Sequence, residues 1–307
     1  MNEHFFALLF LAYLFGYVDM DTTSLNRIGT RLRSGDLHRA LGRFRQFRAA
    51  YSVYQNNLQK LQPAAYVERL HPRSTSLFEG IDPDRYAREL RERGVSFGFS
   101  LTPSQVAEIY TFACDAVCTE PGFDGEFYAN EVDAGRLRGD RYCFRGLVQQ
   151  PENCPLIQTL AEDPALLSIV RRYLRYWPTK LTFHLTWTFA VAMPEAEQRK
   201  RYPPLNYHYD VAGYNFMTTY FYLTDVDAES GAHVMIARSH NQKPLHTLFG
   251  YGASPQLAQQ VLSHYGTDSE LSIEGKAGFG FVQDPSCFHR LSAPKKGRRL
   301  LLQIRYS

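Results

Sequence analysis

The chain has 307 residues, enough for one large domain or two small ones with a sizeable core. With 44% hydrophobic residues, 21% charged residues and a net charge of +3, it reads as a soluble globular protein whose charge does not by itself point to nucleic acid. Its five cysteines (Cys114, Cys118, Cys143, Cys154, Cys287) form no C-x-x-C pair, so neither a disulfide framework nor a structural zinc site is indicated, and a reducing, cytoplasmic setting is expected.

Phe5 to Val18 is largely apolar, but about 14 residues fall short of the ~20 that cross a bilayer. Glu3 before the run and Asp19 and Asp21 after it do not suit a secretory signal. The segment reads as an apolar helix docked on its own protein, with a membrane surface the less favoured alternative. Arg27, Arg31, Arg33, Arg39, Arg43, Arg45 and Arg48 follow, against the single acid Asp36. Such a run is read as a solvated helical face, or else as a patch for phosphate, anionic lipid or an acidic partner.

Four helices are marked by a capping residue followed by proline, whose missing N–H costs nothing at the first helical position. Asp82-Pro83 opens one that Gly94 stops, and Thr102-Pro103 opens a second with Gln105 completing a capping box. Its apolar positions Val106, Ile109, Ala113, Ala116 and Val117 form one stripe, and Cys114 and Cys118 are expected on a buried helical face. Asp163-Pro164 starts a third, carrying Leu166, Leu167, Val170 and Leu174, and Ser254-Pro255 a fourth that ends near Gly266. The 14% aromatic content suits strands, and beyond about Lys180 strands dominate. They are expected at Lys180 to Ala192, Phe216 to Leu223, Ala232 to Ile236, Ala277 to Gln283 and Arg298 to Tyr306. The expected fold class is α+β with a mainly β core, a double-sheet jelly roll flanked by N-terminal helices.

The chemistry starts at His208-Tyr209-Asp210. On an extended strand, positions i and i+2 share a face, so an imidazole and a carboxylate can reach one metal ion. A second imidazole would complete a facial triad, which leaves coordination positions open and suits non-haem Fe(II). His4, His38 and His71 are expected at the surface, His184 precedes the pair, and His246 and His264 lie in a loop and late in a helix. His233 and His240 flank the strand around Val234. His289 stands apart, because a strand leads into it and a basic strand, Arg298 to Arg305, follows about ten residues later. An arginine there would offer a planar fork to a dicarboxylate cosubstrate.

In these residues the chain resembles the phytanoyl-CoA dioxygenase family of the 2-oxoglutarate oxygenases, from about Phe78 to Ser307. The resemblance is carried by His208-Tyr209-Asp210, Tyr222-Leu223-Thr224-Asp225-Val226-Asp227, Ser230-Gly231, Ser239-His240, His289 and Arg299 in that order. It implies a cupin-like double-stranded β-helix, with Fe(II) on His208, Asp210 and His289 and the cosubstrate 2-oxoglutarate reaching Arg299. It further implies O2-dependent hydroxylation of a small-molecule substrate with release of succinate and CO2. The retained Asp210 favours hydroxylation over halogenation. Ala237-Arg238 stands where many relatives have Pro-Gly, Arg298 must point away if Arg299 points in, and Arg305 competes with Arg299 for the cosubstrate.

Residues 1–75 are expected to form a helical, basic extension packed on the core. Residues 76–307 would be the catalytic domain, with helices over 80–177 and jelly-roll strands mainly over 180–307. Asp225, Asp227 and Glu229 read as an acidic turn, since Ile236 stands where a calcium loop needs Glu. Asn206 and Tyr214 are candidate pocket residues, and Trp187 is expected in the barrel core. Two rival functions are a non-catalytic jelly-roll binding module and a membrane-peripheral scaffold acting through the N-terminal arm.

Overall fold

The computed structural model describes residues 41–61, 75–248 and 255–307. The apolar segment Phe5 to Val18, the arginines from Arg27 to Arg39, and His4, His38 and His71 lie outside the described residues. Among the described residues no helix is long and apolar enough to cross a membrane.

Three of the four cap-plus-proline devices form as read, and helix Pro255–Tyr265 follows the fourth, whose Ser254 lies outside the described residues. Asp82 accepts from the backbone of Asp84 and Arg85 to open helix Pro83–Arg93, which stops at Gly94 in the left-handed region (φ 82°). Thr102 and Gln105 complete the capping box of helix Pro103–Asp115. Asp163 caps helix Pro164–Leu174, which buries Leu166, Leu167, Val170 and Leu174. Helices Arg45–Leu61 and Pro155–Ala161 fall in stretches expected to be helical but not delimited there, whereas Glu195–Arg201 lies outside them. One expectation fails: Cys118 is not on a helix. The chain turns extended at Ala116, and Cys118 pairs as a strand residue with Phe127 and Val148.

The strands are β1 (Val95–Ser100), β2 (Cys118–Thr119), β3 (Glu126–Phe127), β4 (Val132–Asp133), β5 (Arg136–Leu137), β6 (Arg141–Tyr142), β7 (Arg145–Val148), β8 (Leu181–Phe189), β9 (Met217–Tyr222), β10 (His233–Ile236), β11 (Glu270–Ile273), β12 (Phe279–Gln283), β13 (His289–Leu291) and β14 (Arg298–Tyr306). The large sheet runs β1-β12-β9-β14-β8-β7-β2-β3 and the small one β11-β10-β13, while β4-β5-β6 form a separate meander. A bridge between His208 and His289 adds the 208 segment to the small sheet beside β13. From β8 onward the chain therefore crosses repeatedly between sheets. It runs β8 in the large sheet, His208 in the small, β9 in the large, β10 and β11 in the small, then β12, β13 and β14 in turn. This winding is a double-stranded β-helix.

Strand alternation sorts β14 into two faces. Leu300, Leu302, Ile304 and Tyr306 join the hydrophobic core that the helices share with Trp187 and Phe221. Each such aliphatic burial stabilises the fold by roughly 1.5–3 kcal/mol. Arg299, Leu301, Gln303 and Arg305 point the other way, into the space between the sheets. Arg298 is exposed on the helical side, over the Trp187 ring at 4.9 Å and bonded to the Tyr110 hydroxyl.

Helix Arg45–Leu61 buries Phe47 and Tyr51 in the same core. Its Arg48 is neither a solvated face nor an open anion patch, as the arginine run suggested. It is 8% exposed and makes an ion pair with Asp284 at 2.8 Å. It also donates to Asn215 Oδ1 at 2.9 Å, Phe216 O at 3.3 Å and the Ser286 hydroxyl. The local sequence concealed this because the acid lies 236 positions away.

Candidate metal centre

His208, Asp210 and His289 come together between the sheets, each offering one ligand atom, and these atoms lie within 4.8 Å of one another. The small sheet sets that spacing. His208 and His289 exchange both backbone hydrogen bonds, at 2.9 and 2.8 Å, and Asp210 N donates to Pro285 O at 2.9 Å. Three side chains from two distant stretches are thus fixed by main-chain bonds.

The protonation of each group suits a cation. His208 Nδ1 lies 2.9 Å from Asn206 O and His289 Nδ1 lies 2.8 Å from Cys287 O. A carbonyl can only accept, so both rings carry their proton on Nδ1 and present the Nε2 lone pair. Burial, reinforced by neighbouring His208, pushes His289 down to about 4, leaving it a neutral donor near pH 7. Its 4.0 Å approach to Asp210 Oδ1 is then ligand spacing, not an ion pair. Burial alone would raise the Asp210 carboxyl, but His289, Arg305 and His208 outweigh it and hold the group below the usual range. Arg305 donates to Asp210 Oδ2 at 2.7 Å, which leaves Oδ1 toward the imidazoles. Two imidazoles that present Nε2 and one carboxylate are the donor set that Fe(II) takes in a facial arrangement.

These residues line a cavity of about 360 Å³. Its floor is built in rungs across the large sheet. Arg145 pairs with Thr188 and Thr188 with Arg299; Leu147, Thr186 and Leu301 form the next rung, and His184, Gln303 and Tyr220 the one after. Arg305 lies beyond them, beside the ligand set. Arg299 therefore sits at the opposite end of the cavity floor from Arg305.

Arg299 is 5% exposed, donates to Gly231 O at 2.5 Å and to the Thr188 hydroxyl at 3.3 Å, and leaves Nε without a partner. Among the described residues it faces no carboxylate. Burial lowers its pKa, while the Tyr222 and Tyr202 hydroxyls oppose this. A buried guanidinium without a counter-charge is costly in the free protein and ready for an anion.

Other singled-out residues fall elsewhere. Asn206 is buried and bonded to Arg199 O, Tyr214 packs against Phe47 and Tyr51, and Trp187 lies in the core with its indole N–H on Ala113 O. None of the three lines the cavity. Asp225, Asp227 and Glu229 bond to Lys276, Lys295 and Lys296 as a surface turn. Ser239 and His240 buttress the loop before His289: the Ser239 hydroxyl accepts from Phe288 N at 2.8 Å, and His240 Nδ1 meets Cys287 Sγ at 3.3 Å. Arg238 adopts φ 67°, in the left-handed region where a side chain is strained.

His184 and His233 also line the cavity. The His233 ring stacks on His289 at 5.2 Å with Nε2 unpartnered. Strand parity could have found both: His184 shares its face with Thr186 and Thr188, and His233 shares one with Met235, the partner of His289.

No family model matches the chain, and no curated protein matches it. Solved structures similar to it include HygX from Streptomyces hygroscopicus with nickel, 2-oxoglutarate and hygromycin B bound. It is 14% identical over 73% of this chain and 86% of its own, with a TM-score of 0.46. EctD from S. alaskensis with bound Fe is 14% identical over 77% of this chain and 81% of its own, at 0.48. The non-heme alpha-ketoglutarate-dependent carbocyclase SnoK from nogalamycin biosynthesis is 16% identical over 76% and 85%, at 0.49.

Proposed function

We propose that the protein is a non-haem Fe(II)- and 2-oxoglutarate-dependent oxygenase of the phytanoyl-CoA dioxygenase type, hydroxylating an unactivated C–H bond of a small metabolite or biosynthetic intermediate. The observation that carries this reading is the pairing of two features in one cavity. One is a His-Asp-His donor set with both imidazoles held as Nε2 donors, and the other is Arg299, a buried guanidinium without a carboxylate. Fe(II) with 2-oxoglutarate and O2 supplies an oxidant for C–H bonds; one oxygen atom enters the product and the other enters succinate as CO2 leaves.

The protein's own part is holding and excluding. His208, Asp210 and His289 would hold the metal, and Arg305 fixes the carboxylate so that one oxygen stays free for it. Arg299 and Thr188 would receive the far carboxylate of the cosubstrate through charge-assisted hydrogen bonds. His184, Tyr220 and Leu301 wall the space between those two points.

Anaerobic addition of Fe(II) and 2-oxoglutarate should give the weak visible charge-transfer band of the chelate, and O2 should then yield succinate. A folded, metal-loaded sample with neither signal overturns the reading.

A further inference from the structure

Among the described residues four guanidiniums reach the cavity (Arg145, Arg290, Arg299 and Arg305), against the single carboxylate of Asp210. Two of them are answered by acids. Arg305 is bonded to Asp210, and Arg290 lies 3.5 Å from Glu270. Arg299 is accounted for by the cosubstrate under the function proposed above. Arg145 is not. Its side chain is half-buried over the Tyr202 ring at 5.3 Å and meets no carboxylate among the described residues. Glu120, whose carboxylate takes the Arg145 backbone N–H, is already engaged: it pairs with Arg141 and also accepts the backbone N–H of Phe144.

Arg145 is also placed to read a second molecule and not to prop the fold. It stands on β7, two strands from Arg299 across Thr188, with its side chain on the cavity face. Leu147, two residues on, shares that face, and Leu291 and Leu301 continue an apolar surface toward the ligand set. The guanidinium over the Tyr202 ring gives one hydrogen bond to that tyrosine and keeps the other donors of its planar fork for an oxyanion. A divalent metal with Asp210 and Arg305, together with a doubly charged cosubstrate on Arg299, leaves the cavity positive. Among the described residues Arg145 is then a cation without a counter-charge in a partly dry space, where such a charge is expensive.

We infer that Arg145 is the recognition residue for the primary substrate, a small molecule with a carboxylate or phosphoryl group at one end and an apolar carbon body presented to the metal. The anionic group lies on Arg145 and the body lies over Leu147, Leu291 and Leu301. The rungs of Arg145 and His184 are four strand residues apart, roughly 13 Å of backbone at ~3.3 Å per residue. Side-chain reach from both ends shortens that gap, so the carbon attacked lies a few bonds from the anionic group. This inference rests on the oxygenase reading.

The test uses the anaerobic Fe(II)·2-oxoglutarate complex of the full chain, titrated with hexanoate, butyl phosphate and the neutral hexanamide, with binding followed by calorimetry and by perturbation of the chelate band. Hexanoate or butyl phosphate should bind at least tenfold more tightly than hexanamide, and whichever anion is preferred identifies the group. Arg145→Gln should abolish the preference and Arg145→Lys should keep part of it, while the chelate band forms in both at the wild-type 2-oxoglutarate concentration. A band with no preference for anions sinks this inference alone. Tenfold weaker 2-oxoglutarate binding in Arg145→Gln also sinks it, because Arg145 then serves the cosubstrate. If no band forms in wild type, the oxygenase reading falls and takes this one with it.

Discussion

Replacing Arg48 by methionine keeps most of the side chain's aliphatic bulk and removes its charge from a fully buried site. Four acceptors then lose a donor: the Asp284 carboxylate, the Ser286 hydroxyl, Asn215 Oδ1 and Phe216 O. Asp284 keeps the Tyr173 hydroxyl at 2.5 Å and Ser286 N at 2.9 Å, but no cation in direct contact. Breaking one side of a buried ion pair costs about 3–5 kcal/mol, a large part of a typical stability of about 5–15 kcal/mol. At roughly 2–4 °C per kcal/mol for a chain of this order, the melting temperature should fall by about 6–20 °C. The effect should reach the metal, because Asp284 opens the turn whose Pro285 O takes Asp210 N and whose Cys287 O takes His289 Nδ1. A loss of roughly 10–100-fold in affinity is usual when an outer support of a metal ligand is removed. Thermal melts of the apo protein, paired with Co(II) titration and its d–d spectrum, separate the two effects. Burial would raise the Asp284 carboxyl, but Arg48, His240 and the Tyr173 bond outweigh it and hold it far below the carboxylate range. Its contribution is therefore present above the unfolded value near 4 and is lost as pH falls toward the folded one. In Arg48→Met that acid loss should begin at higher pH. A melting temperature within 2 °C of wild type, or an unchanged Co(II) affinity in a clearly destabilised variant, refutes the linkage.

Arg299→Leu should weaken 2-oxoglutarate at least roughly tenfold, the worth of a charge-assisted pair of ~1.5–3 kcal/mol, with metal affinity nearly intact. Arg305→Leu should do the reverse, weakening Co(II) by removing the partner of Asp210 Oδ2, and calorimetry of both variants with both ligands exposes any exchange of roles. Arg238→Gly should raise stability by about 0.5–1 kcal/mol, because glycine accepts φ 67° without the cost a side chain incurs; a lower melting temperature would show that the side chain does more than occupy the turn.

What the sequence reveals depends on how local the responsible physics is. A capping residue and the proline after it act within one turn, so helices at Pro83, Pro103 and Pro164 are legible, as is the stop at Gly94. The period of two places His208 beside Asp210, and it separates Arg298 from Arg299 once β14 is recognised. Strands β1, β7 and β11 escape notice for a physical reason. β7 and β11 have only four residues each, and Gly98 in β1 and Arg145 in β7 interrupt the apolar alternation by which strands are found. Arg145 faces inward, so the residue that hides β7 is, with Leu147, one that lines the cavity. Burial of Arg48 leaves no local mark either. An arginine among arginines reads as solvated until the fold brings Asp284 to it.

The two faces of the large sheet differ in what they bury, and this divides structure from function within single strands. On the helical face, hydrocarbon packs on hydrocarbon, with Leu300, Leu302 and Ile304 opposed by helix side chains. On the inner face, Thr218 Oγ1, both amide atoms of Gln283 and the Nε atoms of Arg299 and Arg305 have no protein partner, against Thr219 Oγ1 and the Tyr306 hydroxyl on the helical face, and across the cavity His233 Nε2 of the small sheet is also unpartnered. A buried polar atom left unpaired costs about 1–3 kcal/mol, so a fold optimised for stability alone would place apolar side chains there. The outer face and the Arg48–Asp284 clamp supply the stability that tolerates such an interior. The clamp lies on the loop that delivers His289, outside the cavity itself. Stiffness is thus imposed from behind the ligands, while the surface that would meet small molecules keeps its hydrogen-bonding capacity free.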